Sequence, residues 1–257
     1  MDFTIKTYSR LLDALKTSGI PFKLRHDVDL LPGNSLRTAE IENQKGIKAT
    51  YYFRCVPESY DEQVIKAIAA LGHEIGYHYE SLTTCNGNME AAYDDFCHNL
   101  EQLRTLAPIH SICMHGSPRS PWDSRDLWKH HDYHTLGIDH EPYFDTDFST
   151  TLYLTDTGRR WDGFKVSVRD KIPQYQELWE SQGLVFHTTE QIITQLLDPL
   201  SPLRLSKLSL LITTHPQRWN PFGAKYVKEY CFQSIKNIVK HILVSHNNKK
   251  SISDNNN

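Results

Sequence analysis

PFKLRHDVD, residues 21–29, decides how the rest of the chain is read. It opens on alternating residues and closes on two acids, the form of a buried strand that delivers charge at its C-terminal end. Ahead of it, Tyr8, Leu11, Leu12 and Leu15 fall on the i, i+3, i+4, i+7 stripe of a half-buried helix, with Gly19 as a stop signal. Behind it come a helical segment at 35–46, the β-rich IKATYYFR at 47–54, a helical stripe of Val64, Ile65 and Ile68, and HEIGYHYE at 73–80. Strand, helix, strand, helix, strand is the rhythm of parallel βα units.

The rhythm continues with a helix predicted over 89–106 and the strand IHSICMHG, which ends at His115. Residues 117–165 are less regular, with TLYLTD at 151–156 as a strand before a GRRWDG turn. GLVFHTTE (183–190) and LSLLITTHP (208–216) supply two more apolar strand candidates, and a helix is expected over 224–243. The count predicts an α/β fold, a distorted (β/α) barrel with seven or eight strands. No repeat or Gly/Ser linker divides the chain, so residues 1–247 are read as one domain, followed by a disordered polar tail at 248–257. In such barrels the C-terminal ends of the strands converge on one mouth, where active sites lie.

Composition narrows the partners. With 39% hydrophobic and 23% charged residues the chain is not disordered, and a formal charge of −3 without a basic block argues against nucleic acid. The first residues mix charge into apolar positions and have the form of neither a signal peptide nor a membrane span, so a cytoplasmic location is expected. Five cysteines without a CxxC pair are read as reduced thiols rather than a disulfide framework or zinc ribbon.

The chemistry begins at RHDVD. Asp27 and Asp29, two apart on a strand, project to one side and repel unless something cationic lies near. They share a metal ion, or one binds it while the other serves as a base, or Arg25 or a helix N-terminus satisfies the pair. His78 and Glu80 also share a side, and an imidazole and a carboxylate beside two aspartates suit a divalent ion such as zinc.

These residues carry a resemblance. The D-x-D at Asp27 and Asp29, GIKATYYF (46–53) and GHEIGYH (72–78) resemble, in order and spacing, motifs of the polysaccharide deacetylases, the family 4 carbohydrate esterases with NodB homology. ITTHP (212–216) is similar to the family's late strand ending in a histidine. The resemblance implies a metal-dependent hydrolase that removes an acetyl group from an N-acetylated sugar or surface-polysaccharide precursor. It implies Asp29 and His78 as metal ligands, Asp27 as base and His215 as the acid that protonates the departing amine.

The departures matter as much. The family's second ligand histidine falls on Leu82, which leaves Glu80 or His115 to complete a site taken as Asp29, His78 and Glu80. The family's third-motif arginine is also missing, so Arg159 or Arg160 is expected to orient Asp27, with Arg160 in the catalytic set. Tyr77, Trp161 and Trp219 are candidates for stacking on sugar rings, with His115 and Arg159 beside them as substrate contacts. The alternatives are a barrel that binds carbohydrate without catalysis and a hydrolase of another C–N bond, such as a ureide.

Overall fold

Six strands run parallel in one sheet of the computed structural model, which describes residues 2–117, 120–165, 167 and 169–221. They are β1 (Phe22–Val28), β2 (Thr50–Phe53), β3 (Glu74–Tyr79), β4 (Ile109–Met114), β5 (Thr151–Thr155) and β6 (Ser209–Thr214), in the spatial order β4-β3-β2-β1-β6-β5. Among the described residues the sheet is open between β4 and β5. The expected helix over 224–243 and the tail at 248–257 lie outside the described residues.

The helices that cover the sheet follow from local signals. The α1 helix (Ile5–Ser18) is capped by the Thr4 side chain, which accepts from the Thr7 N–H, and ends at Gly19 with φ 69°. That left-handed turn is the conformation a glycine adopts without a Cβ penalty. Its stripe of Tyr8, Leu11, Leu12 and Leu15 is fully buried, each leucine contributing about 1.5–3 kcal/mol on leaving water. Next come α2 (Pro32–Gln44), with a proline in its first turn, and α3 (Glu62–Ala70), whose cap Asp61 accepts from Gln63 N and Val64 N. A single turn, α4 (Ser81–Thr84), follows β3, and α5 (Met89–Arg104) leads into β4. The short α6 (Pro142–Asp145), then α7 (Pro173–Ser181), α8 (Thr189–Leu197) and α9 (Pro202–Ser206) complete the described helices.

GLVFHTTE is not a strand. Leu184 and Phe186 are buried, but Thr188 opens α8 with a reciprocal capping box to Gln191, so the stretch is a helix entry with two apolar anchors. Six strands therefore stand among the described residues where seven or eight were counted.

Register sorts the side chains. Arg25 pairs with Thr50 and Thr213, Asp27 with Tyr52, Tyr52 with Gly76, and His78 with Cys113. Residues paired in this way share a face, so Arg25, Asp27, Tyr52, His78, Cys113 and Thr213 line the inner face. His26, one residue away, pairs with Tyr51 and Thr214 on the outer face under α1 and α2. Gly76 marks a close approach: a Cβ there would lie 2.4 Å from Cδ1 of Tyr52, so only glycine admits that ring under the Arg25 guanidinium, 5.8 Å from its centroid.

Candidate metal and hydrolytic site

Every strand delivers a functional side chain at or just beyond its C-terminal end: Asp27 and Asp29 from β1, Arg54 from β2, His78 and Glu80 from β3, His115 from β4, Asp156 from β5 and His215 from β6. The convergence is a property of parallel strands, whose C-terminal ends all meet one rim.

Three carboxylates at this rim each have their own guanidinium. Asp27 takes both ends of Arg25, Nε to Oδ1 at 2.8 Å and Nη2 to Oδ2 at 2.7 Å, with both side chains buried. Glu80 takes Arg54 through Nε (2.8 Å) and Nη2 (2.6 Å) on Oε1. Asp156, fully buried, takes Arg218 Nη1 at 2.8 Å on Oδ1, while its Oδ2 accepts the indole N–H of Trp219 at 2.7 Å and the His215 amide at 3.0 Å. Such charge-assisted pairs are how a buried carboxylate is held ionised.

Asp29 is different. No guanidinium reaches its carboxylate among the described residues; three imidazoles face it instead. His78 Nε2 and His115 Nε2 each lie 3.6 Å from Oδ1, and His215 Nε2 lies 3.8 Å from Oδ2. Oδ1 is buried and has no hydrogen-bond partner; Oδ2 accepts from Gln217 Nε2 at 3.2 Å. The Asp29 backbone carbonyl is held by Arg54 Nη1 at 3.1 Å.

The rings are fixed from behind. His78 Nδ1 donates to the Cys113 carbonyl at 2.9 Å, His115 Nδ1 to Glu80 Oε2 at 2.9 Å, and His215 Nδ1 to Asp156 Oδ1 at 2.6 Å. An acceptor behind each Nδ1 leaves Nε2 as the atom turned to the site, the outer hydrogen bonding that orients metal-bound histidines. Donor atoms of Asp29, His78 and His115 all lie within 4.8 Å of one another. Ligands about 2.0–2.1 Å from a tetrahedral zinc ion stand roughly 3.3–3.5 Å apart, close to the 3.6 Å found here. An orphaned carboxylate oxygen between two oriented imidazole nitrogens fits a divalent cation.

Electrostatics agree with the geometry. Burial works to raise the pKa of Asp29, but His78, His215 and His115 hold it well below the usual carboxylate range. Asp27 is lowered as well, burial being outweighed by Arg25 and then His78. Glu80, despite burial, is brought to about 2 by His115 and Arg54. His78 moves the other way: burial disfavours its charged form, yet Asp27 and Asp29 raise its pKa overall.

The sequence-derived residues separate cleanly. Asp27, Asp29, His78, His115 and His215 come together. Glu80, read as a metal ligand, stands behind His115 instead, both of its oxygens already taken by Arg54 and by that ring. Leu82 is buried in the core. The charge on Asp27 comes from Arg25 and not from Arg159 or Arg160. Arg160 is clamped on Asp162, with Nε to Oδ1 at 2.5 Å and Nη2 to Oδ2 at 2.7 Å. Arg159 is buried at φ 56°, its guanidinium 5.8 Å from the Phe3 ring centroid.

Tyr77, Trp161 and Trp219 are core residues rather than sugar platforms. Tyr77 accepts from Asn99 Nδ2 at 3.1 Å, Trp161 donates to Thr189 Oγ1 at 2.9 Å, and Trp219 packs between Phe3 and Tyr8 while tethering Asp156. Arg54 and Arg218 were missed by the sequence reading. Arg54 carried a signal, since it ends IKATYYFR on the same side as Tyr52.

No family model matches the chain, and no curated protein sequence matches it. Among solved structures it is similar to that of Bacillus subtilis PdaA, a family 4 carbohydrate esterase, at 11% sequence identity and a TM-score of 0.40, over 88% of this chain and 83% of that one.

Proposed function

We propose that the chain is a metal-dependent amidohydrolase that removes the acetyl group from an N-acetylated sugar or surface-polysaccharide precursor, with zinc held by Asp29, His78 and His115. The observation that carries this reading is the Asp29 carboxylate, which alone among the four at the rim faces imidazoles in place of a guanidinium, with one oxygen buried and unpaired. A divalent ion held there would lower the pKa of water and polarise an amide carbonyl.

The chain's own groups supply the rest. Asp27, kept ionised by Arg25, has Oδ2 3.7 Å from His78 Nε2, so it borders the ion position and accepts a proton from the attacking water. Burial and the rigid Arg25 clamp leave that carboxylate one orientation. On the other side of Asp29, His215 Nε2 is turned to the site by Asp156 behind Nδ1 and donates its proton to the departing amine nitrogen. Acceptor and donor flank one ion position, the division of labour that amide hydrolysis requires. The sugar substrate is supported by the D-x-D, ATYYF and GHEIGYH motifs, which resemble those of the polysaccharide deacetylases.

The test is elemental analysis of the purified chain joined to amine release from N-acetylated sugars. Equimolar zinc that vanishes in Asp29→Asn, with amine release that vanishes alongside it, supports the proposal. Zinc-free protein that binds glycans without releasing amine refutes it, and release from ureides alone refutes the acetyl-sugar assignment.

A further inference from the structure

Gln217 touches the proposed ion ligand Asp29 and has no part in the hydrolysis described above. It is buried in the 3₁₀ turn Pro216–Arg218 that follows β6. The turn is pinned on both sides of it: the Arg218 amide donates to the His215 carbonyl at 2.8 Å, and Asn220 Nδ2 donates to the Gln217 carbonyl at 2.8 Å. Asn220 Oδ1 in turn accepts from Asn34 Nδ2 of α2 at 3.1 Å, which fastens the turn to the helix that follows Asp29. From this anchored position Gln217 Nε2 donates to Asp29 Oδ2 at 3.2 Å, while Oε1 of the same amide is buried with no hydrogen-bond partner among the described residues. An orphaned buried acceptor is a cost to the fold, one that an apolar side chain of the same length avoids. Packing alone therefore does not account for a glutamine here.

What the amide supplies is direction. A carboxylate binds a cation through one oxygen or through both. The Gln217 bond holds Oδ2 towards the 3₁₀ turn and leaves Oδ1 facing Nε2 of His78 and His115, each 3.6 Å away. The third ring does not displace it, since His215 Nε2 is 3.8 Å from Oδ2, farther than the amide. Resting on the proposed Asp29, His78 and His115 site, we infer that Gln217 is a positioning residue that fixes Asp29 as a one-oxygen ligand. Three protein atoms then hold the ion, and the fourth corner of its tetrahedron stays open, as a hydrolytic site requires. With an apolar residue at 217, Oδ2 is released to reach the ion as well, and the coordination number rises.

The probe is cobalt(II), loaded into the full chain, whose visible spectrum reports coordination geometry: four-coordinate ions absorb strongly and five-coordinate ions weakly. We expect the strong spectrum in the wild type and a several-fold drop in absorbance in Gln217→Met, whose unbranched side chain matches glutamine in length without its amide. The thermal midpoint of the metal-free variant should not fall, because the amide it loses holds only Asp29. A Gln217→Met protein with the wild-type spectrum and a lowered metal-free midpoint gives Gln217 a purely structural role and overturns the inference. A weak, five-coordinate spectrum in the wild type overturns it too, and this is read even if Gln217→Met fails to fold. A wild type that takes up no cobalt removes the ion site and this inference together. Because amine release is not measured, failure of the acetyl-sugar assignment and failure of the Gln217 role are told apart.

Discussion

His26 and Asp27 are neighbours in the chain, and the strand sends them to opposite faces and into two histidine–carboxylate clusters. On the helix side, Glu42 of α2 is fully buried and saturated. His26 Nε2 lies 2.7 Å from Oε1, the Tyr51 hydroxyl donates to Oε2 at 2.7 Å, and the Tyr8 hydroxyl donates to Oε1. His26 Nδ1 is taken by Thr214 at 2.7 Å, and His73 Nε2 by the Ala39 carbonyl at 3.0 Å. On the inner side, Asp29 keeps Oδ1 buried with no hydrogen-bond partner, two imidazole nitrogens 3.6 Å from it and a third 3.8 Å from Oδ2. Both clusters contain the residue types of a metal site. What separates them is saturation: the first ties α1, α2 and the sheet together, and the second leaves capacity for a ligand.

The sharpest way to break this comparison is to remove a carboxylate from each side. Asp29→Asn should abolish equimolar zinc and amine release while the fold persists, because the carboxylate it removes has little protein to hold. Glu42→Ala should do the reverse. Removing one partner of a buried ionic network costs about 3–5 kcal/mol, so the denaturation midpoint should fall steeply while the folded fraction still binds zinc. Zinc loss in Glu42→Ala at temperatures where it is fully folded would show that the two clusters are not independent.

The same contrast has a pH signature. Glu42 is pushed up by burial but brought below the ordinary glutamate value of 4.5 by His26 and the two tyrosine hydroxyls. A folded-state pKa below the unfolded one adds stability that is complete above the unfolded value and disappears as pH falls through the folded one. Urea titrations from pH 7 down to about 3.5 should therefore show wild-type stability declining at the acid end, and a shallower decline in Glu42→Gln. Parallel curves would mean the helix-side cluster does not hold its carboxylate as the geometry requires.

Smaller effects belong to groups that act through others. His215→Ala removes the proposed proton donor and should lower kcat by about 10²–10⁴-fold with zinc retained, since His215 Nε2 faces the opposite Asp29 oxygen from the rings of His78 and His115. Arg54→Ala leaves the ligands in place but frees Glu80 behind His115 and the Asp29 carbonyl. Loss of such an outer contact typically costs 10–100-fold in metal affinity, measurable by competition with a chelating dye. An unchanged affinity would remove Arg54 from the positioning role.

How much of this could be read from the chain depends on how local each signal is. The βα rhythm was legible because alternation and capping are encoded within a few residues, and Asp27, Asp29, His78 and His215 were legible because they end strands. The choice between Glu80 and His115 was not. Both reach the rim, and their arrangement, with the His115 ring facing Asp29 and Glu80 on its Nδ1, depends on how β3 and β4 pair, a pairing whose register shifts between Ile75 and Tyr77. GLVFHTTE misled because Leu184 and Phe186 alternate as in a strand while anchoring a helix entry. Tyr77, Trp161 and Trp219 misled because an aromatic ring has the same sequence signature in a core as at a binding surface.

The smallest expected effect concerns two arginines with the same local geometry. Arg25 and Arg160 each clamp the aspartate two residues later through Nε and Nη2. Arg25 and Asp27 are buried, with Asp27 beside His78, whereas the Arg160 side chain is 37% exposed and its partner Asp162 also faces His187 at 3.1 Å. Solvent screens the second pair and a histidine remains to share its carboxylate, so Arg160→Ala should change stability by no more than about 1 kcal/mol. KM and kcat for any acetylated sugar should stay at wild-type values, because the guanidinium is spent on Asp162. A marked rise in KM would return Arg160 to the substrate and mean that the clamp opens in the working protein.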